Sequence, residues 1–210
     1  MLDFTSLRPM LQDERPIDIA DPGWIVELKQ DGWRLMEQVD AGVELRTRGW
    51  ANATTWFPEV ANGLAGLKGG RFVFDSELVV QDELGRSDFD RLQDRAKRRR
   101  LYPGADPVVY CIFDLLVHRG TDVSQRPLKK RKAMLAKLLA RLLANILYVR
   151  HFSGADGAEV FHQAVLPLKL EGLVAKRKTS VYQPGIRSAD WVKVKRKGAI
   201  PPERFKRSSR

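Results

Sequence analysis

The segment from Trp24 to Arg34 constrains the fold of this 210-residue chain more than any other segment. An apolar, strand-like run at residues 24–28 is followed directly by Lys29 and then by the turn sequence Asp31-Gly32. One interpretation is an ordinary hairpin turn beside a surface lysine, because Asp-Gly favours tight turns between strands. The other is a lysine held at a strand end beside an acid and an arginine, where it can act as a nucleophile. The segment alone does not decide between them.

Strands and helices alternate along the chain. Closely spaced strands at the front and single helices later are typical of an α+β domain with mainly antiparallel sheets flanked by helices. Apolar runs predict strands at residues 24–28, 35–39, 43–47, 72–80, 108–116, 148–151, 172–176 and 191–195. Apolar residues at helical spacing predict helices at residues 56–67, 88–97, 128–146 and 158–168.

Length and composition narrow the class of protein. A chain of 210 residues can bury a substantial core and is expected to form one main domain. No apolar run approaches the roughly 18 residues that a membrane span requires. The single cysteine, Cys111, lies in an apolar run, which indicates core packing and a cytoplasmic location.

The net charge of +11 favours a polyanionic partner. The excess is concentrated at residues 97–100, 129–132 and 193–210. Residues 129–132 open a helix whose leucines recur at helical spacing, so we interpret this cluster as a solvated face. The basic tail has no apolar face of its own, and we predict that it contacts nucleic acid.

Four later segments favour the nucleophile interpretation. In order, they are Phe74-Asp75-Ser76-Glu77-Leu78, Tyr110-Cys111-Ile112-Phe113-Asp114, Glu171-Gly172-Leu173-Val174-Ala175-Lys176 and Trp191-Val192-Lys193-Val194-Lys195. Together with Glu27–Arg34 they resemble the motif set of covalent nucleotidyltransferases, specifically the adenylation domain of ATP-dependent DNA ligases. Arg8-Pro9-Met10-Leu11 and Gly23-Trp24 resemble the start of that domain in bacterial end-joining ligases. The resemblance implies the nucleotidyltransferase fold for the domain at residues 1–197. The composition of residues 198–210 predicts a basic flexible tail after it.

The resemblance also implies a covalent mechanism. Lys29 would attack the α-phosphate of ATP, displace pyrophosphate and carry AMP on its side-chain nitrogen. A free lysine amine has a pKa of about 10.4, so the nucleophile needs cationic neighbours, burial or a metal to expose its lone pair. The matching glutamate, Glu27, would lie near the adenine and Arg34 near the ribose. Arg48 would contact the sugar or the phosphates.

The remaining predicted site residues would bind metal, base and phosphate. Glu77 and Glu171 are assigned to Mg²⁺ or to the ribose, because hard oxygen ligands suit magnesium. Phe113 would stack on the adenine, although an aromatic residue in such an apolar run is also typical of a core. Lys193 and Lys195 lie two residues apart on a strand, so both ammonium groups would face the α-phosphate. Ser76 replaces the glycine common at that place in the family.

The predicted function is that of an ATP-dependent DNA ligase catalytic domain that seals nicked duplex DNA. Complete ligases carry an oligonucleotide-binding barrel after this domain, and the dozen or so residues after Lys197 are too few for one. We therefore expect a domain without this barrel that acts alone or with a separate oligonucleotide-binding or end-joining partner protein. Two alternatives remain: an RNA ligase or capping-type nucleotidyltransferase, and a basic nucleic-acid-binding module without catalysis.

Overall fold

Two β-sheets pack against one another in the computed structural model, which describes residues 2–141 and 144–199. The first sheet has the strand order β1 (Leu11–Asp13), β11 (Arg187–Lys195), β10 (Gly172–Arg177), β2 (Trp24–Leu28) and β9 (Phe152–Ser153). The second has the order β4 (Val43–Thr47), β3 (Trp33–Val39), β5 (Phe72–Val80), β6 (Val108–His118) and β7 (Thr121–Asp122), with β8 (Ile146–Tyr148) also paired to β6.

Helices flank both sheets. They are α1 (Pro58–Ala65), α2 (Phe89–Lys97), α3 (Leu128–Leu138) and α4 (Gly157–Val160), the last continuous with a 3₁₀ turn at Gly154–Asp156 and a π-helical turn at Phe161–Val165. Only the β1–β11 and β6–β8 pairs are parallel among the strands described. The predicted α+β class with mainly antiparallel sheets is confirmed. Within residues 2–141 and 144–199, no helix has the length and apolar character needed to cross a membrane.

Three apolar cores hold these layers together. One lies between the second sheet and helices α1 to α3, and another, around Val26 and Leu173, lies between the first sheet and the helical segment that contains Val165. The third lies between the sheets, where Cys111 and Trp191 are both buried. Cys111 is therefore a core residue, as predicted.

The chain crosses from one sheet to the other at the Asp31-Gly32 turn. Strand β2 pairs with β10 and β9, whereas β3 pairs with β4 and β5. The hairpin interpretation of this turn is therefore wrong. Glycine is required at the crossing because a Cβ on Gly32 would lie 2.1 Å from the Leu78 carbonyl oxygen, well inside contact distance. The lysine that precedes the crossing is consequently placed where the two sheets meet.

The helix predicted at residues 128–146 is shorter than expected. It ends at Leu138, Leu142 and Leu143 lie outside the described residues, and Ile146 begins strand β8. Asn145, directly before β8, has a φ of +61°. The apolar spacing continued past the helix because Leu135 and Ile146 contact the same core from different elements.

The basic cluster at residues 129–132 is only half a solvated face. Lys129 and Lys130 are exposed, but Arg131 and Lys132 are fully buried. Arg131 forms two 2.8 Å hydrogen bonds to the carboxylate of Asp114 on β6. The solvated-face prediction is wrong for these two residues because α3 packs on β6 and the helical period turns them inward.

Candidate active site

A cleft of about 700 Å³ is lined by residues from both sheets. All nine residues singled out in the sequence line it: Glu27, Lys29, Arg34, Arg48, Glu77, Phe113, Glu171, Lys193 and Lys195. They come from strands β2, β3, β5, β6 and β11 and from the segments just after β2, after β4 and before β10. The fold thus gathers residues up to 168 positions apart in the sequence into one concave site.

Lys29 lies at the end of β2, at the wall of this cleft. Its backbone N–H donates a 2.9 Å hydrogen bond to the Gly172 carbonyl, which fixes the residue against β10. Its Nζ donates to Glu171 Oε2 at 2.7 Å and lies 3.5 Å from the Gln30 carbonyl. The side chains of Lys29 and Glu171 are 17% and 5% exposed, so the pair is largely shielded from solvent while still reaching the cleft.

Glu27 is buried between two lysines. Lys176 donates to Glu27 Oε2 at 2.7 Å, and Lys132 Nζ lies 2.7 Å from Oε1. Burial alone would raise the pKa of Glu27, but the two ammonium groups lower it below its ordinary value. Oε1 is buried and makes no hydrogen bond of good geometry with any of the described residues, although the Lys132 ammonium lies beside it.

Lys132 and Lys176 are site residues that the sequence analysis missed. Lys176 lines the cleft, with its Nζ 4.1 Å from the centre of the Phe113 ring and 4.2 Å from that of Trp191. Burial lowers its pKa. Lys132 supports the site from α3 and also donates to the Val149 carbonyl at 2.7 Å. A signal for Lys132 existed, because it shares the helical face of Leu128 and Leu135.

Arg34 is held by a buried acid. Its guanidinium donates to both carboxylate oxygens of Asp75, at 2.7 and 2.6 Å, and to the Met10 carbonyl at 2.9 Å. The Tyr182 hydroxyl donates to Asp75 at 2.5 Å, and burial beside that carboxylate raises the pKa of Tyr182 well above its ordinary value. Arg34 is therefore oriented before any ligand binds, and Asp75 and Tyr182 are supporting residues that the sequence analysis did not identify.

Phe113 belongs to the core and to the cleft wall. It is 7% exposed and meets Trp191 edge to face at 6.1 Å between ring centres. The Arg34 guanidinium lies 5.0 Å from its ring centre. Stacking on a base stays a prediction. Arg48 is exposed at the cleft, and its backbone N–H donates to the Arg34 carbonyl at 3.0 Å.

Glu77 is the carboxylate with the most unusual electrostatics in the cleft. Burial raises its pKa to about 7, outweighing the attraction of Lys29 and Arg34, and the nearby Asp75 and Glu171 raise it further. Ser76, its neighbour, lies inside β5 rather than in a turn, and its hydroxyl is within hydrogen-bond distance of the Leu35 carbonyl, at 3.2 Å, and of the Glu37 carboxyl, at 2.8 Å. Serine is accommodated at this position by buried acceptors.

Residues 2–141 and 144–199 hold no complete metal centre made of protein groups alone. Across the described ranges, no group of three or more His, Cys, Asp or Glu side chains is arranged to hold an ion. Glu77 and Glu171 therefore supply at most a pair of carboxylates.

Lys193 and Lys195 face the same side of β11, as predicted. Both bind Glu14, with Nζ-to-carboxylate distances of 2.9 Å and 3.1 Å. Hydrogen bonds from Lys193 and Lys195 lower the pKa of this carboxyl. Glu14 follows β1, which runs parallel to β11, so the acid reaches the lysines through sheet pairing that the sequence did not reveal. The Glu14 carboxylate therefore lies beside the two lysines that were predicted to face a phosphate.

Glu77→Gln should change how stability depends on pH. In the unfolded chain the pKa of Glu77 is about 4.3, so the folded state binds more protons than the unfolded state between there and pH 7. The parent should therefore lose stability relative to Glu77→Gln as pH rises from about 5 to about 8. Urea denaturation at both pH values measures this difference.

The exposed Glu83 provides the matched control for this experiment. Glu83→Gln should follow the pH dependence of the parent. If Glu77→Gln also does so, Glu77 ionises in the folded state as it does in the unfolded chain, and the description of its environment is incorrect.

Comparison with known proteins identifies the family. The family described as ATP dependent DNA ligase domain matches residues 10–195. The multifunctional non-homologous end joining protein LigD of Pseudomonas aeruginosa is 38% identical over 173 residues, which are 82% of this chain and 20% of LigD. This chain thus spans about a fifth of the length of that relative.

Two solved structures have the same fold. The ligase domain of M. tuberculosis LigD has a TM-score of 0.80 and 30% identity, covering 92% of this chain and 61% of that chain. Mycobacterial DNA ligase D complexed with ATP and MES has a TM-score of 0.81 and 30% identity, covering 92% and 62%. The family match over residues 10–195 and the similarity of fold together show that this chain belongs to the ATP-dependent DNA ligase domain family.

Proposed function

We propose that this domain transfers AMP from ATP to Lys29, passes it to the 5′-phosphate of a DNA nick and seals the nick. The observation that carries the proposal is the position of Lys29 Nζ, bound to Glu171 at 2.7 Å in a cleft that all nine predicted site residues line. A non-catalytic DNA-binding module would not need a largely buried lysine beside a buried acid.

The first step is a displacement at phosphorus. Lys29 Nζ must lose a proton before it attacks, and Glu171 Oε2 is within hydrogen-bond distance to accept that proton. A bond then forms between Nζ and the α-phosphorus while the bond to the oxygen bridging the α- and β-phosphates breaks. Pyrophosphate leaves with that electron pair, and AMP remains on Lys29.

Lys193 and Lys195 are assigned to the phosphates in this step. Both ammonium groups already hold one carboxylate, that of Glu14, at 2.9 and 3.1 Å. A phosphate carries charge of the same sign and offers more acceptor oxygens, so it could replace Glu14 at the same two cations. Two fixed cations would stabilise the charge that redistributes around the α-phosphorus in the transition state.

Glu77 and Glu171 are assigned to magnesium. Magnesium is usually bound through one or two protein carboxylates together with substrate phosphates, and a pair of carboxylates in the cleft fits that arrangement. The raised pKa of Glu77 indicates a carboxylate poorly compensated by cations, which a divalent ion would correct. When bound, magnesium would neutralise phosphate charge.

Glu27, Phe113, Arg34 and Arg48, which all line the cleft, are assigned to the nucleoside. Within the described residues Glu27 Oε1 has the Lys132 ammonium 2.7 Å away but no hydrogen bond of good geometry, and the 6-amino group of adenine could donate one. A carboxylate there would repel the 6-oxo group of guanine, which argues against a capping-type enzyme. Phe113 would stack on the base, Arg34 would lie near the ribose, and Arg48 would contact the sugar or the phosphates.

Nicked duplex DNA is the proposed substrate. The Pseudomonas relative is named as a non-homologous end joining protein, and the chain belongs to a DNA ligase domain family. We assign the domain to the cytoplasm, where a separate oligonucleotide-binding or end-joining protein could complete its grip on DNA. The predicted nucleic-acid contact of the basic tail falls largely on residues 200–210, which lie outside the described part of the chain.

Replacement of the nucleophile tests the proposed function. After incubation with ATP and magnesium, intact mass spectrometry should show an added AMP on the parent and on Lys129→Ala, an exposed lysine outside the cleft. Lys29→Ala should show none. An adduct on Lys29→Ala would assign the chemistry to another residue. Absence of an adduct on the parent would contradict the first step, and sealing of a pre-adenylated nick would then separate a ligase from a DNA-binding module.

Glu14→Gln should strengthen ATP binding. The substitution releases Lys193 and Lys195 from a competing anion, and solvent-exposed ion pairs of this kind are each worth about 0–1 kcal/mol. We expect the Kd for ATP to fall by roughly two- to tenfold, measured by titration calorimetry. Asp18→Asn, an exposed acid on the same loop, should leave the Kd unchanged. Weaker binding in Glu14→Gln would mean that Glu14 helps to bind the nucleotide rather than competing with it.

A further inference from the structure

Three consecutive arginines after α2, here called the arginine turn, are Arg98, Arg99 and Arg100. All three are exposed, and in the described part of the chain none forms an ion pair. Nearby surface cations differ in this respect, because Arg86, Arg91 and Lys97 bind Asp82, Asp106 and Asp94 respectively. The arginine turn is therefore a concentrated positive charge without an ion-pair partner among residues 2–141 and 144–199.

Two of these guanidinium groups are held by aromatic rings. Arg98 lies 4.1 Å from the centre of the Tyr102 ring, and Arg99 lies 4.9 Å from that of Trp56. A guanidinium stacked on a ring keeps its N–H edge free for a phosphate, and the stacking limits the conformational freedom lost on binding. An ordinary solvated cluster would not be expected to have this order.

The backbone of the arginine turn is also anchored. Arg95, which is fully buried, donates to the Arg100 carbonyl at 2.8 Å and to Glu59 at 2.8 Å. Arg99 has a φ of +50°, a conformation that non-glycine residues rarely adopt without support from their surroundings. The surrounding contacts hold the three arginines in a fixed arrangement.

The arginine turn lies beside the ligase cleft. Trp56, which carries Arg99 on its face, also lines the cleft. Helix α2 starts at Phe89, another cleft residue, and its nine residues span about 14 Å before Arg98. One strand of duplex DNA carries a phosphate about every 3.4 Å along its axis, so this length corresponds to about four base pairs.

We infer that the arginine turn binds the phosphate backbone of the duplex flanking the nick, a few base pairs from the reacting phosphate. The inference rests on the proposed function, because it takes DNA in the cleft as its starting point. Contacts of this type position a duplex without reading its sequence and make binding sensitive to salt. The arginine turn would therefore set how firmly nicked DNA is held, without taking part in AMP transfer.

The test compares two doubly substituted proteins. Arg98→Gln with Arg99→Gln removes two charges from the arginine turn, and Lys129→Gln with Lys130→Gln removes two exposed charges at the start of α3 as the matched control. Binding to a nicked duplex is measured by fluorescence anisotropy between about 50 and 200 mM salt. The arginine double variant should show a plot of log K against log salt that is shallower by about one to two, and the lysine double variant should keep the slope of the parent.

The formation of the AMP adduct from ATP is measured on the same proteins and should not change in either variant. The inference would be overturned if the arginine variant kept the salt sensitivity of the parent, or if both variants lost it equally. It would also be overturned if the parent formed the adduct but did not bind nicked DNA. If the parent forms no adduct but the arginine variant alone loses salt sensitivity, the inference stands and the first step of the proposed function fails.

Discussion

The Glu27 carboxylate joins the two halves of the domain through buried charges. Glu27 lies on β2 of the first sheet, Lys176 lies on the neighbouring strand β10, and Lys132 comes from α3, which packs on β6 of the second sheet. Burying charged groups is costly unless each is paired in good geometry. The three side chains therefore fix how α3 and the first sheet meet, and the cleft floor is built on that junction.

Two further buried pairs surround this junction. Asp75 on β5 holds Arg34, and Asp114 on β6 holds Arg131. In each case the acid comes from the second sheet, and its partner comes from a neighbouring strand or from α3. Among the residues that line the cleft, lysines and arginines outnumber aspartates and glutamates by seven to four, which suits a substrate with several phosphates. Glu77 is the exception, because burial raises its pKa to about 7 despite the attraction of Lys29 and Arg34.

Much of the framework could be predicted from local sequence. Apolar runs in the sequence predicted most of the long strands, and the spacing of strands and helices predicted the α+β class. The helix at residues 128–146 was overextended because a strand resumed on the same core after Leu138. The hairpin interpretation of Asp31-Gly32 was wrong because the strands on either side of the turn, β2 and β3, pair with distant strands of two different sheets.

Only those site residues that belong to recognisable sequence motifs could be predicted. All nine predicted residues line one cleft, but their roles stay predictions. The sequence analysis missed four supporting residues because their contacts join segments far apart in the sequence, as Glu14 does with Lys193. They are Lys132, Asp75, Tyr182 and Glu14. The burial of Arg131 and Lys132 shows that a charged residue in a basic cluster is not necessarily exposed to solvent. Lys132 lies on the same face of the helix as the buried residues Leu128 and Leu135, and this spacing indicates burial, which the charge of the cluster alone does not.

The free energy of unfolding of Glu27→Gln, from urea denaturation at neutral pH, tests the central claim most directly. The substitution leaves Lys132 and Lys176 buried without a carboxylate, so stability should fall by about 3–5 kcal/mol relative to the parent. A variant within about 0.5 kcal/mol of the parent, the range typical of surface substitutions, would show that this carboxylate does not hold the two sheets together.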